Sequence, residues 1–101
     1  MNLRVAILGF EPALRSALRS LLSREPGLQL AEENDPQPDI LLIAPSNPEW
    51  VNQLRQLHPQ ARIVAMVEWH RRSGFADAAV DEFVDSLDGY QSLLKQIRSG
   101  S

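Results

Sequence analysis

The run Asp39-Ile40-Leu41-Leu42-Ile43-Ala44 decides the fold. Its apolar residues follow one another without polar alternation, the mark of a strand covered on both faces. The segments on either side alternate in type. Upstream, Glu32 to Pro38 is a polar turn containing Asn34, Asp35, Pro36 and Pro38, preceded by a short strand at Leu28 and Leu30, reaching towards Ala31. Before that strand, Pro12 to Arg24 reads as a helix that Pro26-Gly27 stops. Pro12 suits its first turn, where a missing N–H costs nothing. Leu14, Ala17, Leu18, Leu21 and Leu22 recur at helical spacing and predict one core-facing stripe. The chain opens on an apolar strand, Leu3 to Leu8.

Downstream, Asn47-Pro48 starts a helix with Trp50, Val51, Leu54 and Leu57 on one side, and His58-Pro59 ends it. Ile63 to Val67 reads as a fourth strand, Arg71 to Val80 as a shorter helix, and Phe83-Val84 as a brief fifth strand. Asp88 is placed to cap a last helix carrying Tyr90, Leu93, Leu94 and Ile97. Apolar strands alternating with amphipathic helices imply an α/β fold with a parallel sheet. Right-handed crossovers then give a doubly wound, flavodoxin-like (CheY-like) sheet in the order 2-1-3-4-5. One step is irregular. Glu32 to Asp39 is too short for a helical crossover, which takes ~10–12 residues or more, so a loop is expected in place of the second helix. That deletion predicts bare apolar strand surface near the second strand, at a sheet edge, and hence self-association or a dedicated partner.

Composition bounds the function. The chain has 101 residues, 44% hydrophobic and 23% charged, which fits one globular domain. Residues 1–98 read as that domain and 99–101 as a flexible tail or a cloning remnant, with the natural protein free to continue. No Cys is present, so disulfides and thiolate chemistry are excluded. The net charge of −3 speaks against direct nucleic-acid binding by this domain. No apolar run approaches the ~20 residues that span a bilayer, so no membrane role is expected. The opening strand does not read as a signal peptide, and together these features point to the cytoplasm. A chain of this size has little room for both a core and an enclosed catalytic cavity, which favours binding over catalysis.

Residues 5–28, Val-Ala-Ile-Leu-Gly-Phe-Glu-Pro-Ala-Leu-Arg-Ser-Ala-Leu-Arg-Ser-Leu-Leu-Ser-Arg-Glu-Pro-Gly-Leu, resemble the opening of response-regulator receiver domains, nearest to the NarL/FixJ type. Pro38-Asp39-Ile-Leu-Leu-Ile looks like that family's third strand, and Leu57-His58-Pro59-Gln-Ala-Arg62-Ile-Val like the approach to its fourth. The resemblance carries over the family's site position by position, and each position departs from it. The acidic pair that holds Mg²⁺ falls on Gly9 and Phe10. The phospho-accepting Asp falls on Ala44, the switch hydroxyl on Val67, and the Lys on or near Ser86. Receiver chemistry needs oxygen ligands for Mg²⁺, a carboxylate nucleophile and a cation for the phosphoryl oxygens. The resemblance therefore implies a pseudo-receiver that has kept the fold and lost phosphotransfer, with no Mg²⁺, no cofactor and no enzymatic activity. Glu11 and Asp39 are the nearby acids. They read as a helix-start charge and a strand-entry residue at the opposite end of the sheet.

No other constellation carries chemistry. His58 and His70 lack partners at ligand spacing, and Gly9 stands alone without a phosphate-binding loop. Glu68-Trp69-His70-Arg71-Arg72 follows the fourth strand at the carboxyl edge, where open α/β sheets place their sites. Trp and Arg dominate interface hot spots; the plainer alternative packs Trp69 on a neighbouring helix. The resemblance places the family's signalling face on 71–80, 83–84 and 90–97, with Phe83 at the aromatic switch position. Trp69, His70, Arg71, Arg72, Phe75, Phe83 and Tyr90 are the candidate contact residues. Trp50 joins them, as core, as cover for the missing helix, or as a partner contact. The expected function is a phosphorylation-independent regulatory module working by protein–protein interaction, with a protein partner or a homodimer. Two alternatives stand beside it. One is a small-molecule sensor using the apolar space lined by Gly9, Phe10, Ala44 and Val67. The other is the receiver-like front part of a longer DNA-binding regulator.

Overall fold

The computed structural model describes residues 3–32, 35 and 37–99. Met1, Asn2, Glu33, Asn34, Pro36, Gly100 and Ser101 lie outside them, and with them part of the polar turn and the last two residues of the expected tail.

Five parallel strands, β1 (Leu3–Leu8), β2 (Leu28–Leu30), β3 (Ile40–Ile43), β4 (Arg62–Val67) and β5 (Glu82–Asp85), form one sheet in the order β2-β1-β3-β4-β5. The flavodoxin-like arrangement expected from the alternation is borne out. α1 (Pro12–Ser23) and α3 (Gly89–Ser99) cover one face, and α2 (Pro48–Leu57) covers the other. β3 is buried along its whole length, as its unbroken apolar run requires. Among the described residues between β2 and β3 there is no helix, so the loop replaces the second helix as expected.

Three expectations are corrected. The segment 71–80 is not an α-helix. A single 3₁₀ stretch runs from Trp69 to Phe75, and an irregular segment leads from it to β5. Ser73-Gly74 sits where a helix would have to propagate, and Gly there costs about 1 kcal/mol in helix propensity. Next, the α1 stripe is only partly buried. Leu18 and Leu22 are in the core, whereas Leu14, Ala17 and Leu21 are exposed, because α1 meets the sheet along one narrow line over β1 and β2. Leu57, at the end of α2, is exposed in the same way.

The third correction concerns the bare patch expected beside β2. No large hydrophobic residue of β1 or β2 is exposed. Residues Ala6 and Ala31 are small and buried there, and Gln29 is polar. Asp35, from the loop that replaces the helix, is buried and ion-paired with Arg4 of β1, and its Oδ1 accepts the Gln37 N–H at 2.9 Å. Asp39 completes the seam: its Oδ2 accepts the Arg4 N–H at 2.8 Å while its own N–H donates to the Arg4 carbonyl. Asp39 is thus the strand-entry residue its position suggested. α3 runs through Ser99.

Candidate functional site

The sheet register brings the receiver-matching positions to one edge. Leu8 pairs with Ile43, so Gly9 and Ala44 emerge side by side at the carboxyl ends of β1 and β3. The Ala44 N–H donates to the Leu8 carbonyl at 3.0 Å. Val67 ends β4, and the Ser86 N–H donates to its carbonyl at 3.0 Å. Gly9, Ala44, Val67 and Ser86 therefore line the edge in strand order, and Ser86 takes the position after β5.

Where β1 meets β3 this edge leaves no room for a side chain at Gly9, although the glycine itself is exposed. Gly9 has φ +83°, a left-handed conformation that side chains disfavour. A Cβ built on it stands 2.6 Å from the Ala44 carbonyl oxygen and 2.9 Å from Cη2 of Trp50. Any side chain here meets backbone on one side and an indole ring on the other. Trp50 reaches this point from the first turn of α2, which Asn47 fixes: its Oδ1 accepts the Trp50 N–H at 2.8 Å, a side-chain cap. The Trp50 ring is half-buried against the α2-side core and covers the sheet end rather than facing outward. Phe10 turns the other way and packs on the core beneath α1 and α3, whereas Val67 belongs to the α2-side core. The four residues expected to line one apolar pocket are thus divided between the two faces. Glu11, next along, is exposed and makes no cap hydrogen bond.

A second region lies beside it, along the 3₁₀ stretch and the edge strand β5. Trp69 is 51% exposed, and the Arg72 guanidinium stacks over its ring at 3.7 Å from the centroid. Such an exposed cation–π pair contributes about 0.5–1 kcal/mol. The indole also lines a cleft with Ser92, Lys95 and Gln96 of α3. His70 and Arg71 are exposed beside it, with His70 Nε2 3.3 Å from the Glu68 carboxylate. Phe83 is half-buried and lines two surface clefts together with Trp69. Trp69, Arg72 and Phe83 line one cleft, and His70 and Arg71 belong to the same 3₁₀ stretch as Trp69. Phe75 is not part of this surface; it is buried in the α2-side core. Tyr90 lies on the opposite face of the sheet. Its hydroxyl donates to Glu25 Oε1 at 3.3 Å. Burial raises the Tyr90 phenol above its ordinary value; the Glu25 charge and hydrogen bond add to this, and Arg98 opposes it.

One group that the sequence did not single out fixes the approach to this surface. Arg55 of α2 donates to the carbonyls of Ala61 at 2.8 Å and Ala79 at 3.3 Å, and pairs with Asp81. Asp81 in turn accepts the Ile63 N–H at 2.7 Å. Asn52 accepts the Ala79 N–H at 3.0 Å. These bonds tie residues 79–81 to α2 in place of the absent helix. Their sequence separations of 24–27 leave no local signal. Among the described residues, no group of three or more His, Asp or Glu side chains is arranged to hold a metal ion. No helix is long and apolar enough to cross a membrane.

No protein-family model matches the chain. No curated protein matches it either. A solved structure does. The crystal structure of an adenylate cyclase from Rhodopirellula baltica superposes with a TM-score of 0.76. The match covers 96% of this chain and 85% of that one at 15% identity. What the two share is the fold.

Proposed function

We propose that the chain is a receiver-like regulatory module that works without phosphorylation, through protein contact at the surface around Trp69 and Phe83. The observation that supports this reading is the crowding at the sheet edge beside Gly9. Of the two positions that match the family's acidic pair, one is the left-handed Gly9, whose Cβ site is filled by the Ala44 carbonyl and Trp50, and the other is Phe10, packed on the core. The position of the phospho-acceptor is Ala44. Without a carboxylate nucleophile or oxygen ligands for Mg²⁺, aspartyl phosphate has no place to form. The reading is non-enzymatic, and the cyclase likeness enters only as a likeness of fold.

The contact surface supports the second half of the reading. An exposed Trp stacked with Arg combines the two residue types richest in interface hot spots. Arg55 and Asn52 tie the segment leading into β5, so the surface is held in one arrangement without a phosphate-dependent switch. The test is incubation of the chain with Mg²⁺ and acetyl phosphate, followed by intact mass measurement. No phosphoryl increment is expected. An acid-stable, hydroxylamine-sensitive increment mapped to an Asp would overturn the reading.

A further inference from the structure

The amino ends of the strands form the edge opposite Gly9 and Ala44. The carboxyl ends of the helices lie there too, because each helix runs back across a parallel sheet. Helix carboxyl ends carry partial negative charge and favour cations. The chain's own arginines show which cation this edge takes. Arg62 donates to the Gln96 and Ile97 carbonyls at the end of α3, at 2.7 Å each. Arg98 donates to the Pro26 carbonyl beyond α1 at 3.4 Å. Arg55 donates to the Pro59 and Ala61 carbonyls beyond α2, at 3.4 and 2.8 Å. One opening at this edge has acceptors and no cation of its own. It is a cavity of about 420 Å³ between the entry to β3 and the turn after α2. Its apolar lining is Pro38 and Ala61, both buried, with Pro59 and the 70% exposed Leu57. Its polar lining is Gln37, Asp39, His58 and Gln60, with no Lys or Arg among them. Asp39 is exposed; its Oδ2 accepts the Arg4 N–H, and its Oδ1 accepts no hydrogen bond from a described residue. His58 Nδ1 is buried without a partner among the described residues, so the polar lining is incomplete as it stands. The arginines of the surrounding elements are engaged elsewhere, Arg4 with Asp35, Arg55 with Asp81 and Arg62 with Glu82.

We propose that this cavity receives an arginine side chain of a polypeptide partner, with the guanidinium on Asp39 and the methylene stem on Leu57 and Pro59. The site is separate from the Trp69 surface and shares no lining residue with it. A guanidinium is weakly hydrated and offers five donors in one plane, so it serves a carboxylate and neighbouring amide acceptors together. Its stem covers apolar surface while the charged head stays at the polar side. The cavity is open, with Leu57, Pro59 and Gln60 exposed on its rim. A free small molecule gains affinity by being enclosed. A side chain entering from a partner needs no enclosure, because its backbone stays outside and other contacts share the binding. The net charge of −3 adds a general attraction for a basic segment.

Amide chemical-shift titration of the full chain at constant ionic strength tests this. The probe is a blocked glycyl-arginyl-glycine peptide, with its citrulline counterpart as the uncharged isostere and agmatine as the free small cation. Saturable shifts are expected at the Asp39, Leu57, His58 and Ala61 amides, with dissociation in the millimolar range that one side chain supports. The citrulline peptide is expected to bind about fivefold more weakly or not at all, and agmatine no tighter than the arginine peptide. Asp39→Asn keeps an oxygen for the Arg4 N–H and removes the charge, and is expected to weaken binding about fivefold. Leu57→Ser, at an exposed position, removes the support of the stem and is expected to weaken it as well. Circular dichroism checks that each variant is folded. The absence of saturable shifts at these amides overturns the proposal, as do shifts centred on Asp85 and Asp88 instead. So does a citrulline peptide that binds as tightly as the arginine one, or binding that neither variant weakens. Tighter binding of agmatine than of the peptide overturns the polypeptide source. None of these outcomes alters the mass reading with acetyl phosphate, so the two claims fail separately.

Discussion

The two faces of the sheet are built from different materials. Among the described residues, the core beneath α1 and α3 holds twelve that are buried, all Val, Leu or Ile. The core beneath α2 holds eleven of the described residues, of which Ala6, Ala31, Ala61 and Ala65 are four. Two complete helices cover the first face. One helix, a 3₁₀ stretch and two loops cover the second. The first face is thus thick in side-chain bulk and the second, with its four alanines, thin. The lesson is that a sheet tolerates a missing helix when its strands turn small residues to that face. The same thin face supplies the Trp50 ring that crowds the carboxyl edge at Gly9.

Five predictions press on this difference, the largest effect first. Gly9→Ala should destabilise the chain by about 4 kcal/mol, combining left-handed strain of ~1–2 kcal/mol with overpacking of ~1–3 kcal/mol. Gly27→Ala is the control. Gly27 has φ +84° but open space around its Cβ site, so only the strain of about 1–2 kcal/mol should appear in urea unfolding. Equal losses in the two variants would mean that Trp50 and Ala44 do not crowd position 9.

On the thick face, Leu93→Ala removes a fully buried side chain and should cost about 3 kcal/mol. On the thin face the opposite change is the damaging one. Ala65→Leu should cost about 2 kcal/mol by overpacking. A neutral Ala65→Leu in the same unfolding assay would show spare room beneath α2. Arg55→Ala comes next, at about 2 kcal/mol, since it strips the cover of residues 79–81 of charge-assisted hydrogen bonds. Hydrogen exchange should quicken at 76–81 and stay unchanged in α3.

The smallest effect lies at the α1–α3 side and is read by pH. Tyr90 is the one tyrosine, so absorbance near the phenolate band follows it alone. Its ionisation should fall above the usual value of about 10, and Glu25→Gln should move it back down. A raised folded-state value means the unfolded chain loses the proton first. The associated stability is therefore complete below pH ~10 and is lost as pH rises through the folded value.

Much of this was legible in the sequence because strand and helix periods differ. The runs at Leu3–Leu8 and Ile40–Ile43, and the short gap after Leu30, carry the sheet order and the missing helix. Periodicity gives a face but not its depth, so the five-residue stripe on α1 overstated a contact line that buries Leu18 and Leu22. The helix expected over 71–80 failed at Ser73-Gly74. Its replacement depends on Arg55 and Asn52, whose partners lie far along the chain. At the site, strand ends located Gly9, Ala44, Val67 and Ser86. Trp50 over Gly9 was not legible, because a ring from α2 reaches that point only through the packing of the thin face. Phe75 and Tyr90 share the neighbourhood of the contact surface in sequence, but the end of the 3₁₀ stretch turns Phe75 inward and α3 carries Tyr90 on the other face.

The most direct measurement is an amide and indole chemical-shift titration of the whole chain with Mg²⁺ and beryllium fluoride, a mimic of a phosphorylated carboxylate. The account predicts no saturable shift at the Gly9, Ala44 and Val67 amides or the Trp50 indole, because Trp50 and the Ala44 carbonyl already occupy the space beside Gly9. Saturable shifts converging on those four groups would contradict it and show that the carboxyl edge still opens to a phosphoryl ligand.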